Sequence, residues 1–172
     1  MAAAAKKVSK TETKKPNLKL VKNQNEGLFE AIHKSQAVIE FNLKGIIGTA
    51  NDNFLNTLGY SLDEVQGKHH SMFCEPEYAQ SQEYKNFWEK LNRGEFDQGE
   101  YKRVGKNGRE VWIIASYNPI FNADGSLEKI VKFATDITAS KAELKARADI
   151  MNMTSIVSEA DLKGDILNVN DK

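Results

Sequence analysis

Apolar and polar side chains alternate most regularly between residues 99 and 138. One face of the central run carries Val111, Ile113, Ala115 and Tyr117. A period of two residues is typical of a β-strand whose two faces have different surroundings. Asn107–Gly108 and Asp124–Gly125 lie between apolar runs, and both pairs favour tight turns because they tolerate left-handed backbone angles. The pattern therefore predicts three consecutive antiparallel strands joined by two hairpins.

Two shorter strands and a capped helix are predicted before this meander. Residues 37–41 and 46–50 are short apolar runs separated by a turn, which is typical of a hairpin. Asn51 follows the second run and can cap a helix, because its side chain accepts hydrogen bonds from the free amides of a first turn. Gly59 is expected to end that helix.

Further helices are expected between the hairpin and the meander. Ser61 and Glu64 have the spacing of a capping box and predict another short helix. Residues 68–80 are expected to be irregular, since they contain a proline and many polar residues. A longer helix should begin after Ser81. Its apolar stripe at helical spacing consists of Tyr84, Phe87, Trp88 and Leu91.

The segments at the two ends differ from the centre. Residues 1–16 are rich in lysine and poor in large apolar residues, so we expect a disordered basic tail. Residues 17–34 have roughly helical apolar spacing interrupted by polar residues, which predicts a flanking N-terminal helix, broken or continuous. Residues 139–151 are rich in helix formers with a thin apolar face, which predicts a connector helix after the domain at 35–138.

The end of the chain repeats the beginning of this domain at a fixed offset of 119 residues. Matching pairs include Val38 with Val157, Glu40 with Glu159, Leu43–Gly45 with Leu162–Gly164, and Asn51–Asp52 with Asn170–Asp171. Self-similarity at a fixed offset indicates a repeated structural unit. We therefore interpret residues 152–172 as the truncated start of a second domain in a longer tandem protein. We expect weak order there, because the helix and meander that would cover it are lacking.

Composition excludes several classes of protein. The 24 basic and 24 acidic residues cancel, so the net charge gives no reason to expect a nucleic-acid partner. The single cysteine, Cys74, cannot form an intrachain disulfide and fits a reducing compartment. No apolar run is long enough to span a membrane or to act as a signal peptide. We therefore expect a cytoplasmic location.

Several motifs in this order resemble the PAS family of sensory domains. They are NDNFLNTLGYSLDEVQGK at 51–68, YKRVGKNGREVW at 101–112 and FATDIT at 133–138. More narrowly, three segments are similar to the PAS units of soluble, tandem-PAS methyl-accepting chemotaxis proteins, including the biofilm-dispersal kind: GYSLDEVQGKHHSMFCEPEY at 59–78, NFWEKLNRGEF at 86–96 and REVWIIASYNPIFNADG at 109–125. Aerotaxis transducers are more distant relatives. The resemblance covers about 35–138, and the repeat at the end resembles the start of a second PAS unit.

The resemblance implies an α+β fold and a function in signal transduction. The fold would be a five-stranded antiparallel sheet in the order 2-1-5-4-3, with helices on one face and a pocket between them. The signal would leave through the last strand and the Asp-x-Thr motif, Asp136 to Thr138, into the connector helix. Both side chains stand where strand becomes helix and can cap the amides of residues 139–141. A second PAS unit and a downstream signalling domain would be its partners.

The resemblance leaves the cofactor unknown. His70 aligns with a histidine of flavin-binding aerotaxis relatives, so FAD is a candidate. Cys74, Glu77 and Asp97 replace the arginine, aspartate and tryptophan that those relatives carry. Haem is less favoured, because the long helix supplies no histidine as an axial ligand. The residues near His70 match no common metal-binding spacing, so no metal site is predicted.

Other candidate binding residues depend on which way the sheet faces. Trp112 and Asn118 share one face of a strand, and Phe133 lies on the next strand. If that face points inward, these side chains could contact a planar ligand together with Asn51; if it points outward, Trp112 can pack against a flanking helix or a second subunit. A homodimer is therefore expected. The alternative to a ligand-binding sensor is a ligand-free dimerisation scaffold. No nucleophile or paired carboxylates suggest an enzyme.

Overall fold

The computed structural model describes residues 18–154 and 158–169, and its centre is a five-stranded antiparallel sheet. The strands are β1 (Ala37–Phe41), β2 (Ile47–Ala50), β3 (Asp97–Val104), β4 (Glu110–Phe121) and β5 (Leu127–Asp136). Their order is β2-β1-β5-β4-β3, as predicted, and all neighbours are antiparallel. Both predicted hairpins of the meander are confirmed. The predicted basic tail at 1–16 lies outside the described residues.

Helices precede, connect and follow the strands. They are α1 (Leu18–Ser35), α2 (Asp52–Leu58), α3 (Leu62–Val65), α4 (Pro76–Gln80), α5 (Gln82–Asn92) and α6 (Thr138–Thr154), with short 3-10 helices at His70–Phe73 and Lys106–Gly108. Helix α1 is continuous through Gly27. No helix among the residues described here is both long and apolar enough to cross a bilayer.

The segment 68–80, expected to be irregular, contains two short helices instead. The ring of His69 accepts a hydrogen bond from the amide of Ser71, which starts the 3-10 helix. Pro76 stands in the first turn of α4, where a missing N–H costs nothing. The prediction treated this proline as a sign of irregular structure, although at this position it starts a helix.

The predicted caps of α2 and α3 are confirmed. The side chain of Asn51 accepts from the amide of Phe54, and Gly59 ends α2 with a φ of 80°. Ser61 and Glu64 form the capping box of α3. Ser81 caps α5 by accepting from the amide of Tyr84. These local bonds set the helices at defined points on the sheet.

The helices cover one face of the sheet, and the core lies between them and the strands. The inward side chains of β4 are one of the two alternating sets, Val111, Ile113, Ala115 and Tyr117, and all four are buried. They pack against buried aromatic and aliphatic residues of the helical layer, including Phe54, Phe73, Phe87, Trp88 and Leu91. The opposite face of β4, with Trp112 and Asn118, is only partly buried.

The repeat at the end of the chain forms a separate hairpin of β6 (Ser158–Ala160) and β7 (Ile166–Val169). Its register, Ser158 with Val169 and Ala160 with Ile166, equals that of Ile39 with Ala50 and Phe41 with Ile47 after the offset of 119. Even the register shift falls at the equivalent position. The hairpin therefore repeats the strand pairing of β1–β2, and the start of a second domain at residues 152–172 stays a prediction.

Candidate functional site

A polar network crosses the interior between the helices and the sheet, and His70 is its centre. His70 is 0% exposed. Its Nδ1 lies 2.8 Å from the hydroxyl of Tyr84 on α5, and its Nε2 lies 2.9 Å from the hydroxyl of Tyr117 on β4. The histidine therefore links the helical layer directly to a central strand.

Arg103 extends this network to the edge strand β3. Its Nη2 donates to the hydroxyl of Tyr117 at 3.1 Å, and its Nη1 donates to the carbonyl of Lys102 at 2.8 Å. The guanidinium carbon lies 4.7 Å from the centre of the Tyr101 ring. Arg103 is 3% exposed, and its Nε has no hydrogen-bond partner among the described residues.

Lys132 brings a second long basic side chain to the same tyrosine. Its Nζ lies 4.8 Å from the centre of the Tyr117 ring and 5.6 Å from that of Phe54. Lys132 is 1% exposed. Among the described residues the buried polar or charged side chains are His70, Arg103 and Lys132, and no carboxylate is buried with them.

Burial controls the protonation of this network. Loss of hydration, followed by the charges of Lys132 and Arg103, holds the pKa of His70 well below its usual value, so the ring is neutral at pH 7. Burial also lowers the pKa of Lys132 well below the usual lysine value, and the charge of Arg103 lowers it further. Burial raises the pKa of Tyr117 to about 12, so its hydroxyl stays protonated. That hydroxyl can thus accept from Arg103 and donate to His70.

A second group of contacts lies where β5 ends and α6 begins. One carboxylate oxygen of Asp136 accepts from the amide of Thr138 at 2.8 Å and from its hydroxyl at 2.6 Å. The same hydroxyl accepts from the amide of Trp112 on β4 at 3.0 Å. Asp136 and Thr138 therefore connect the helix start to β4.

The predicted caps on residues 139–141 need correction. Asp136 accepts from the amide of Thr138 itself, and the amide of Lys141 donates to the carbonyl of Ile137. The carboxylate of Asp136 accepts from Thr138, two residues later in the chain. It therefore stabilises the turn that leads into α6 and does not cap the amides of residues 139–141.

Trp112, Asn118 and Phe133 lie on the face of the sheet opposite helices α2 to α5. The indole Nε1 of Trp112 donates to Glu110 at 2.7 Å, and Lys141 of α6 lies 5.1 Å from the ring centre. Asn118 donates to the carbonyl of Val131 at 3.2 Å. These three residues are therefore on the outward face, and the structure does not bring them together with His70. Their part in ligand binding stays a prediction.

Asn51 has a structural role that uses its whole amide group. Its Oδ1 accepts from the amides of Phe54 and Val38, at 3.0 and 2.9 Å. Its Nδ2 donates to the carbonyls of His33 and Gln36, at 3.0 and 2.8 Å. The side chain thereby joins α1, β1 and α2, and a ligand would have to replace one of these bonds.

The interior residues do not fit haem or flavin in this arrangement. Both ring nitrogens of His70 have hydroxyl partners, so coordination of iron would break a hydrogen bond. The ring of Phe87 lies 4.8 Å from that of Tyr117 and 5.7 Å from that of Trp88, which leaves no gap between these rings for a planar cofactor. Among the described residues no cluster of three metal-ligating side chains occurs.

Sequence reasoning missed the two buried cations, although a signal was present. Arg103 lies two positions after Tyr101, and Lys132 lies between Ile130 and Ala134 at a period of two. Both positions are therefore in phase with inward-facing neighbours. A charged residue at an inward position is unusual and indicates a specific role.

Several known proteins resemble this chain in sequence. The sequence pattern of the family described as PAS fold matches residues 47–134, and the chain belongs to this family. It is 44% identical over 127 residues to the biofilm dispersion protein BdlA of Pseudomonas aeruginosa, covering 74% of this chain and 30% of that protein. It is 31% identical over 96 residues to the aerotaxis receptor of Escherichia coli, covering 56% of this chain and 19% of that receptor.

The fold has solved counterparts. A PAS domain of a protein from Colwellia psychrerythraea superposes with a TM-score of 0.58 at 22% identity, covering 69% of this chain and 98% of that one. At this identity the likeness concerns the fold alone. The chain spans less than a third of the length of these two relatives.

Proposed function

We propose that this chain is the sensory input module of a cytoplasmic, chemotaxis-type signal transducer. A ligand or redox signal acts on the interior network and passes through the last strands and the Asp136–Thr138 contact to α6. Membership of the PAS family and similarity to an aerotaxis receptor and to a biofilm dispersion protein support this proposal. Beyond α6, a second PAS unit and a signalling domain would receive the output.

One observation carries the proposal, namely that β4 contacts both sites. Tyr117 of β4 holds His70 and Arg103 on the inner face. Five residues earlier, the amide of Trp112 donates to the hydroxyl of Thr138 at the start of α6. A displacement of β4 at Tyr117 therefore changes the geometry at the helix start without any further intermediary.

The size of the proposed coupling follows from the strength of one hydrogen bond. A hydrogen bond such as that between Trp112 and Thr138 contributes about 1 kcal/mol net. A difference of about 1 kcal/mol between two states changes their ratio roughly fivefold. If this bond forms in only one of two signalling states, which differ in the orientation of α6, it changes the ratio of their populations roughly fivefold.

The experiment is the substitution Asp136→Ala in the full-length protein. The domain should remain folded, because position 136 is exposed, and the response to stimulus should be lost, because Thr138 loses its acceptor. Thr135→Ala is the matched control, since Thr135 is also exposed and makes only a 3.4 Å contact with Gln36. Equal responses of Asp136→Ala and wild type, in a folded receptor, would refute the proposed coupling.

A ligand-free dimerisation scaffold is the second candidate, and the filled interior favours it. On the outer face, Ile114 is 50% exposed beside Phe133 in a shallow groove of about 550 Å³. Such a surface can bury apolar area in a homodimer. The scaffold predicts a colourless dimer whose denatured extract contains no small molecule by mass spectrometry. A monomer by light scattering at high concentration would exclude it.

A further inference from the structure

Trp112 contacts the beginning of α6 with its side chain as well as with its backbone. Its amide donates to the hydroxyl of Thr138 at 3.0 Å, and its carbonyl accepts from the amide of Ile137 at 2.8 Å. Beyond these bonds, Nζ of Lys141 lies 5.1 Å from the centre of the indole ring and forms an ion pair with Glu100 of β3. A cation is attracted to the face of an indole. Helix α6 is therefore attached to the sheet at its first residue and again about one turn later.

The indole is itself held by charged side chains on the outer face of the sheet. Its Nε1 donates to one carboxylate oxygen of Glu110 at 2.7 Å, and the other oxygen lies 2.9 Å from Nζ of Lys102. Lys102 is directly opposite Trp112 in the ladder between β3 and β4. The hydrogen bond from Lys102, followed by that from Trp112, holds the pKa of Glu110 below its usual value, so this carboxylate is charged at pH 7. Glu110 therefore links the position of the indole to that of the Lys102 ammonium group.

Lys102 also reaches the helical layer, because β3 is an edge strand of the sheet. Its Nζ lies 2.9 Å from Oε1 of Glu75, the residue that precedes α4. Glu75 follows Cys74, whose Sγ lies 3.8 Å from Nδ1 of His70. This series of contacts thus begins beside the interior network, passes around the edge of the sheet and ends on α6. It does not use the carboxylate of Asp136.

The ion pairs of this series are exposed to solvent, so they can break easily. Their side chains are between 38% and 55% exposed, namely those of Glu75, Lys102, Glu110, Glu100 and Lys141. Exposed pairs are weak and are screened by salt. Helices in proteins obtain most of their stability from tertiary packing, so α6 should fray when it is detached. A small shift at α4 can therefore change the fraction of molecules in which α6 is attached.

We propose that the side chains of Trp112 and Lys141 form a releasable attachment of α6, and that Lys102 connects this attachment with α4. When α4 moves away from β3, Lys102 loses the carboxylate of Glu75, the indole is held less firmly through Glu110, and α6 detaches more often. The device regulates the output helix of the proposed function and therefore rests on that function. Attachment of α6 is nevertheless measurable in this chain without any signalling.

Hydrogen exchange of the backbone amides at 142–148 in the 172-residue chain measures the attachment. Lys141→Gln and Trp112→Phe should each accelerate this exchange roughly two- to fivefold, as expected for the loss of an exposed ion pair or cation–π contact. Asp149→Asn, which also removes one charge from an exposed position of α6, is the control and should leave the exchange unchanged. None of these side chains is buried, so the variants should fold.

The connection with α4 is tested by Glu75→Gln. This substitution should accelerate exchange at 142–148 and shift the indole Nε1–H resonance of Trp112, which Trp112→Phe identifies. Glu77→Gln, at an exposed position two residues later, is the matched control and should do neither. In the background of Lys141→Gln, the substitution Glu75→Gln should have no further effect on exchange, because the attachment is already lost.

Unchanged exchange in Lys141→Gln and Trp112→Phe would overturn the attachment. An effect of Glu75→Gln that is absent, that equals the effect of Glu77→Gln, or that persists in the background of Lys141→Gln would overturn the connection with α4. Either result leaves the proposed function standing, because Asp136→Ala tests that function separately in the full-length protein.

Discussion

His70 is an ionisable residue that the fold keeps uncharged. Both ring nitrogens face tyrosine hydroxyls, and two cations share Tyr117 with it. A protonated ring would place a third positive charge in this interior. The arrangement therefore has a direct consequence for the dependence of stability on pH.

We expect the free energy of unfolding to fall as the pH is lowered below about 6.5, the pKa of histidine in an unfolded chain. Burial, with the charges of Lys132 and Arg103, lowers the pKa of His70 in the folded state. The unfolded state therefore takes up a proton that the folded state does not bind. The free energy of unfolding falls by up to about 1.4 kcal/mol per pH unit, and this fall ends once the pH is below the pKa of His70 in the folded state.

Urea unfolding of wild type and His70→Gln between neutral and mildly acidic pH measures this effect. The difference between the two curves isolates His70, because Lys132 and the carboxylates are common to both. His69→Gln is the matched control and should retain the wild-type slope. An unchanged slope in folded His70→Gln would mean that His70 is not the group responsible.

Asn51 should be important for stability because its amide joins three elements. Asn51→Ala removes the cap of α2 and leaves the amide of Val38 without its side-chain acceptor, whereas the carbonyls of His33 and Gln36 still accept from Asn53. We expect a loss of roughly 2–4 kcal/mol, from the cap and the unsatisfied amide together. Asn56→Ala on the exposed side of α2 is the control and should change stability by about 0.5 kcal/mol or less. Urea denaturation compares them, and similar losses would contradict this role.

At the residue scale, prediction from sequence succeeded where the cause is local. The cap at Asn51 depends on amides three residues away, so its spacing is visible in the chain. The partners of His70 are 14 and 47 residues distant, and no spacing reveals them. The orientation of Trp112 was left open because alternation defines two faces without saying which one is covered.

At the scale of elements, the β1–β2 turn positions the segment that carries His70. Gly45 has a φ of 75°, and its carbonyl accepts from the amide of His70 at 2.8 Å. A Cβ at Gly45 would lie 2.7 Å from Nε2 of His69 and 2.9 Å from Cζ2 of Trp88. The glycine is therefore required both by its backbone angle and by the close approach of two rings.

Gly45→Ala should destabilise the domain by about 2–4 kcal/mol, because left-handed strain and overpacking add. Gly108→Ala is a matched control with nearly the same φ, 78°, and no atom within 4 Å of an added Cβ. Gly108→Ala should lower the free energy of unfolding by only about 1 kcal/mol. Urea denaturation measures both. Equal losses of unfolding free energy in the two variants would mean that the rings of His69 and Trp88 move aside at little energetic cost.

Elements were predicted well where turn residues and periodicity agree, as in the meander. The helices in segment 68–80 were not predicted, because they are short and because two of the contacts that position them come from residues distant in sequence. The amide of His70 donates to Gly45, and residues 46 and 69 form an isolated β-bridge. Such helices are too short to have a recognisable period.

At the scale of the whole molecule, the two copies of the same hairpin differ in their surroundings. In the first copy, Phe41 and Ile47 are buried beneath the helices. In the second, Ile166, Leu167 and Val169 are exposed. Equal register with unequal burial indicates that local sequence determines the hairpin, whereas the covering helices determine its contribution to stability.

Removal of this second copy should therefore leave the stability of the PAS domain unchanged. A chain ending at residue 154 loses β6 and β7, whose apolar side chains contribute little buried area. We expect its free energy of unfolding to equal that of the full chain within about 0.5 kcal/mol. Urea denaturation followed by the fluorescence of Trp88, which lies in the core, measures this directly.

The control for this truncation is Phe41→Ala, in the buried first copy, which should cost about 3–5 kcal/mol because it opens a cavity. A clear loss on truncation would mean that the hairpin packs on the domain in solution. That result would also change the interpretation of the repeat, since its apolar residues would then have a partner within this chain. Equal stability instead leaves those residues free for the remainder of a second PAS unit, which the repeat predicts.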